Sequence, residues 1–146
     1  MKIALCFMTK DRVELSKQSF PRLLEAKNAG ANIWWIDGSA TPEGVDLPNK
    51  LLNGNYVRWN VRGGPDAAVA YAVTECLKHD YTHIGIVEND VWLGDGWFQR
   101  TMDLFSNVPD GLEVGAASAR CYEDRVLFQR NGFNVMHNLG FGIVIW

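Results

Sequence analysis

The chain has 146 residues, 47% hydrophobic and 21% charged, with a formal net charge of −3. That is one globular domain with a core of its own, and it excludes a disordered tail, a collagen-like repeat and a coiled coil. The small negative charge gives no electrostatic footprint for nucleic acid or an anionic membrane surface.

Lys2 to Met8 reads as a buried strand, a short apolar run closed by the polar turn Thr9-Lys10-Asp11-Arg12. Asp11 is the expected N-cap of a helix carrying Val13, Phe20, Leu23, Leu24 and Ala26 on one stripe, ending at Gly30 and kinked by Pro21. Asn32 to Ile36 is a second strand, with Trp34 and Trp35 on its opposite faces, and Asp37 to Pro42 a loop rich in turn formers. A short helix near Asn49 to Asn53 and a third strand, Tyr56 to Trp59, follow. Gly63-Gly64-Pro65 then opens an Ala-rich helix, Asp66 to about Lys78. His83 to Val87 is a fourth strand ending in Glu88-Asn89-Asp90, and Asp95 is the expected N-cap of a helix from Trp97 to about Phe105. Val114 to Ala119 is a fifth strand, with further candidates at Val126 to Phe128, Phe133 to Met136 and Phe141 to Trp146. The last is an apolar run expected to lie at a sheet edge, where it offers a surface for a homo-oligomer.

No apolar run approaches the roughly 20 residues of a membrane helix. Cys6, Cys76 and Cys121 lie far apart with no CxxC, which reads as reduced thiols in a cytoplasmic protein. His79 and His83 straddle a helix-to-strand junction, so they are not expected to share a metal. Strands apolar at nearly every position, alternating with helices, argue a three-layer α/β sandwich with a mostly parallel sheet.

In such sheets ligands bind at the carboxyl ends of the strands. The segments following the strands hold Thr9 and Arg12, then Asp37, then Asn60, Gly63 and Gly64, then Glu88 and Asp90. Two carboxylates at i and i+2 in a confined place call for a nearby cation, and oxygen-only ligands suit Mg²⁺ or Mn²⁺. With a Gly-rich turn at a helix start, the set suits a diphosphate-bearing ligand.

Four stretches in this order resemble the nucleotide-sugar glycosyltransferases of the GT-A fold, especially the family-two-like group. They are Thr9-Lys-Asp-Arg12, Trp35-Ile-Asp-Gly-Ser39, Asn60-Val-Arg-Gly-Gly64 and Ile86-Val-Glu-Asn-Asp-Val-Trp-Leu93. The resemblance covers about Ile3 to Gly115 and implies a GT-A-like fold with donor-binding roles for Thr9, Arg12, Asp37, Asn60, Gly63, Gly64 and Glu88. It implies Asp90 and Glu88 as ligands of Mn²⁺ or Mg²⁺. Glu88 stands where the family has Asp, and Asp66 brings a negative charge beside the glycine turn. The family's catalytic base lies downstream of the segment matched by Phe141 to Trp146. The chain is therefore expected to be a single nucleotide-sugar-binding domain, 1–146, without the C-terminal acceptor-binding part.

The implied activity is transfer of a sugar from a nucleoside diphosphate sugar to a hydroxyl acceptor. The alternative is a binding module that holds the nucleotide sugar without turnover. A nucleotidyltransferase is disfavoured because no glycine follows the first strand, and a Rossmann dehydrogenase because GxGxxG is absent there.

Overall fold

A computed structural model describes residues 1–52, 63–107, 116–118, 126–130, 133–136 and 143–145. The elements in chain order are β1 (Ile3–Thr9), α1 (Val13–Asn28), β2 (Asn32–Asp37), α2 (Pro42–Leu52), α3 (Gly64–Cys76), β3 (His83–Glu88), α4 (Trp97–Ser106), β4 (Ala117–Ser118), β5 (Val126–Arg130), β6 (Phe133–Met136) and β7 (Ile143–Ile145). The expected strand Tyr56 to Trp59 lies outside the described residues, as does Cys121.

β1 is flanked by β2 and β3, both parallel to it, in a five-stranded sheet of order β2-β1-β3-β7-β4. Its side chains alternate between two cores, and from Ile3 to Met8 none is more than 7% exposed. Leu5 and Phe7 face α1, α2 and α4 in a core that includes Phe20, Leu23, Trp35, Leu47, Trp97 and Phe98. Phe7 meets Trp35 edge-on at 5.0 Å, and Phe20 stacks on Trp35 at 5.1 Å between centroids. Ala4, Cys6 and Met8 face α3 with Ile36, Ala72, Cys76, Ile84 and Ile86. The small side chains on this second face let α3 lie close on the sheet. Helices on both faces make the three layers.

Four local expectations are corrected. Pro21 does not split α1, which runs unbroken for 16 residues. One lost backbone hydrogen bond is outweighed by the buried face of Ser16, Ser19, Phe20, Leu23 and Ala26. The short helix expected near Asn49 to Asn53 starts earlier and is longer, α2 beginning at Pro42 with the Thr41 hydroxyl accepting from the Gly44 amide at 3.3 Å. Neither Asp11 nor Asp95 caps the helix that follows it. Arg12 and Gly96 hold those positions without a side-chain cap.

The fourth correction concerns the final apolar run. β7 is not an edge strand: it pairs antiparallel with β3 on one side and β4 on the other. The sheet therefore has four strands running one way, with β7 opposed to them. β5 and β6 form a separate antiparallel hairpin.

Candidate functional site

The three parallel strands finish together. Thr9 pairs with Asp37 across β1 and β2, and Met8 with Glu88 across β1 and β3. Beyond these ends opens a cleft of about 290 Å³, lined by Thr9, Lys10, Arg12, Gly38, Gly64, Glu88 and Asp90 among others. The N-terminus of α3 forms one wall, through Gly64, Pro65 and Ala68. Gly63 and Gly64 turn the chain into α3 with φ of 131° and 80°, conformations that L side chains rarely adopt.

The first loop is fixed by β2 and its own successor. Asp11 has a φ of 52°, and its amide donates to the Ser39 hydroxyl at 2.8 Å. Its carboxylate accepts from the Ala40 amide at 2.9 Å and from the Thr41 amide and hydroxyl at 2.8 Å each. The two Thr41 contacts chiefly hold the Asp11 carboxyl below its ordinary 3.8. Asp11 thus braces the start of α2 rather than of α1, and leaves Arg12 at the cleft mouth.

Behind the rim runs an internal relay. The Trp35 indole donates to the Thr9 hydroxyl at 2.7 Å, and that hydroxyl donates to Asp37 Oδ1 at 2.9 Å. Asp37 Oδ1 also accepts from the Ser39 amide at 3.0 Å, and the residue is 1% exposed. The single Thr9 hydroxyl proton is therefore directed inward, and a ligand in the cleft meets that oxygen only as an acceptor.

The acidic turn after β3 is anchored through its middle residue. Asn89 is buried, donating to the Ser16 hydroxyl at 2.8 Å, while the Ser19 hydroxyl donates to its carbonyl at 2.9 Å. Asp90 forms an ion pair with Arg12, whose side chains are 42% and 60% exposed respectively.

Of the residues expected at the site, Thr9, Arg12, Gly64, Glu88 and Asp90 line one cleft. Gly63 immediately precedes that wall as the first turn's cap residue. Asp37 is buried beside Gly38, which does line it. Asn60 lies outside the described residues. Asp66 sits in the first turn of α3 and is exposed. His79 packs against Trp34 and Tyr81, and His83 against Phe105, where burial pushes its pKa below 6.5. They do not meet. Trp97 is core at 2% exposure, whereas Trp92 is 76% exposed. Ser16 and Ser19 carry no signal in the sequence, because a serine on a helix is silent until its partner across the fold is known.

The donor set of the acidic turn is oxygen-only. Among the described residues no three His, Cys, Asp or Glu side chains gather as a metal cage. Two carboxylates, Glu88 and Asp90, are what the turn can offer. That fits Mg²⁺ or Mn²⁺, which commonly take one or two carboxylates and complete their shell with water and phosphate oxygens. A closed structural site of the zinc type does not fit.

With helices on both faces of the sheet and a cleft at its strand ends, the chain has a GT-A-like fold, the fold of the solved structures it is similar to. No family model matches it, and no curated protein matches it. It is similar to the mannosyltransferase PcManGT from Pyrobaculum calidifontis, solved with GDP-Man and Mn²⁺, at TM-score 0.61 and 14% identity over 79% of this chain and 34% of that one. It is similar to TarS of S. aureus (residues 1–349) at TM-score 0.56 and 15% identity, over 73% of this chain and 32% of that one. A candidate nucleotide-diphospho-sugar transferase from Desulfovibrio desulfuricans G20 gives TM-score 0.55 and 8% identity, over 73% of this chain and 56% of that one. The chain thus spans from about a third to just over half the length of these neighbours.

Proposed function

We propose that the chain is the donor-binding part of a glycosyltransferase that moves a sugar from a nucleoside diphosphate sugar to a hydroxyl acceptor. The observation that carries this reading is the convergence of Thr9, Arg12, Gly64, Glu88 and Asp90 on one cleft at the strand ends. The solved neighbour holding GDP-Man and Mn²⁺ supports the same ligand class.

In this reading the diphosphate lies between the basic side chains of Lys10 and Arg12 and the N-terminus of α3. The first-turn N–H groups and the positive end of the helix dipole there favour an anion. The segment from Asn60 to Gly64 serves the nucleoside, and Asp37, buried behind the rim, holds Thr9 and Ser39 in place. Glu88 and Asp90 hold Mg²⁺ or Mn²⁺, which when bound supplies Lewis-acid neutralisation of charge on the leaving diphosphate. Arg12 adds a permanent charge to that neutralisation. In transfer, the acceptor oxygen bonds the anomeric carbon, the bond from that carbon to the diphosphate oxygen breaks with its electron pair leaving on the diphosphate, and the acceptor's proton passes to solvent.

Calorimetry of the chain with UDP, GDP and their sugars, with and without Mn²⁺, tests the reading. Metal-dependent binding that disappears in Asp90→Ala is the expected result. Binding indifferent to both metal and substitution overturns it. Release of sugar to water or to an acceptor then separates an enzyme from a module that binds without turnover.

A further inference from the structure

The Arg12–Asp90 pair joins one side chain assigned to the diphosphate with one assigned to the cation. Both ends are held by backbone the fold has already fixed. Arg12 is the first residue before α1, in a loop secured by the Asp11 amide on Ser39 and the Asp11 carboxylate on Thr41. Asp90 follows Asn89, which is hydrogen-bonded to Ser16 and Ser19 of the same helix. The guanidinium and the carboxylate therefore meet at the cleft mouth from two anchored turns, and both line the cleft.

A carboxylate that accepts a guanidinium cannot give the same lone pairs to a divalent cation, and a guanidinium engaged there cannot fork onto a diphosphate. Resting on the donor-site reading above, we infer that Arg12 is an exchangeable counter-ion. It occupies Asp90 in the ligand-free chain and passes to the diphosphate when the cation takes Asp90. Arg12 thus opposes the cation alone and favours the cation together with the nucleotide. The two ligands are coupled through one side chain, and each raises the other's affinity.

The test uses the whole chain with Mn²⁺ alone, followed by the electron paramagnetic resonance of the unbound ion, and calorimetry of UDP and GDP at saturating Mn²⁺. Arg12→Gln should bind Mn²⁺ alone about twofold to fivefold more tightly, the scale of a half-exposed ion pair. It should bind the better nucleotide with Mn²⁺ about tenfold more weakly, having lost a charged hydrogen-bond donor. Arg12→Lys, which keeps the charge, should recover part of both changes. If the Gln variant moves both affinities in the same direction, or moves neither, the exchange is overturned. A Lys variant matching Gln in both measurements overturns it too. Asp90→Asn separates this failure from that of the donor site, since undiminished Mn²⁺ and nucleotide binding in that variant would sink the site itself.

Discussion

The side-chain amide of Asn89 donates a 2.8 Å hydrogen bond to the hydroxyl of Ser16, so the residue between two cleft carboxylates is tied to the first helix. The bond is buried, and its loss leaves Ser16 without that partner. Asn89→Ala should destabilise the chain by about 1–3 kcal/mol, the cost of an unsatisfied buried group. If the tie also sets the positions of Glu88 and Asp90, Mn²⁺-dependent nucleotide binding should weaken in the same variant. Urea unfolding and calorimetry on one preparation check both effects, and an unchanged unfolding midpoint would contradict the role given to this bond.

Glu25 caps a helix that belongs to a distant part of the chain. Its carboxylate accepts from the Gly96 amide at 2.9 Å and the Phe98 amide at 3.0 Å, at the N-terminus of α4. Glu25→Ala should cost about 1 kcal/mol, as the loss of an N-cap does. Asp95→Ala should cost less, because among the described residues that side chain forms only an exposed ion pair with Arg22. Thermal melts of the two variants give the order directly.

Asp11 should make stability depend on acid pH. Its carboxyl is held below the ordinary 3.8 by hydrogen bonds from Thr41, so the folded state favours the ionised form. The sign follows from linkage: the stabilisation is complete above the unfolded value and lost as pH falls through the lower folded value. Asn tolerates the left-handed backbone conformation of this residue, so Asp11→Asn isolates the carboxylate. The wild type should exceed this variant in stability at about pH 6, with the gap closing below about pH 4. A gap that stays constant through that range would show that the contacts act without the charge.

Gly63 and Gly64 should respond unequally to alanine. A Cβ at Gly63, with φ 131°, would stand 2.9 Å from the Ala67 Cβ, whereas at Gly64, with φ 80°, nothing lies within 4 Å. Gly64→Ala then carries only backbone strain, about 1–2 kcal/mol, and Gly63→Ala carries that strain and a steric clash. Differential scanning calorimetry should rank Gly63→Ala as the less stable.

The strands were legible because β1 and β3 are buried on both faces and so read as unbroken apolar runs. Their carboxyl ends, and hence Thr9, Glu88 and Asp90, followed from the alternation of strand and helix. The caps were not legible. Asp11 lies 29 and 30 positions from its amide partners, and Glu25 lies 71 and 73 from its own, so local spacing put Asp11 on the wrong helix and named Asp95 where Glu25 caps α4. Pro21 and Pro48 sit inside helices because packing outweighs a propensity that sequence counts at full value. The position of β7 depends on long-range pairing, for which a short apolar run has no mark of its own.

That position sets an order of events during synthesis. Among the described residues β4, at Ala117–Ser118, joins the sheet only through β7, and β7 ends at Ile145. While the ribosome is still making the residues between them, β1, α1, β2, α3 and β3 can assemble, yet one flank of β3 has no strand to meet. Such an open flank on a nascent chain is where pairing with a second copy begins. β7, made after the strands it joins, is therefore the one that closes this flank, and anything delaying it lengthens the interval in which a chaperone would be needed.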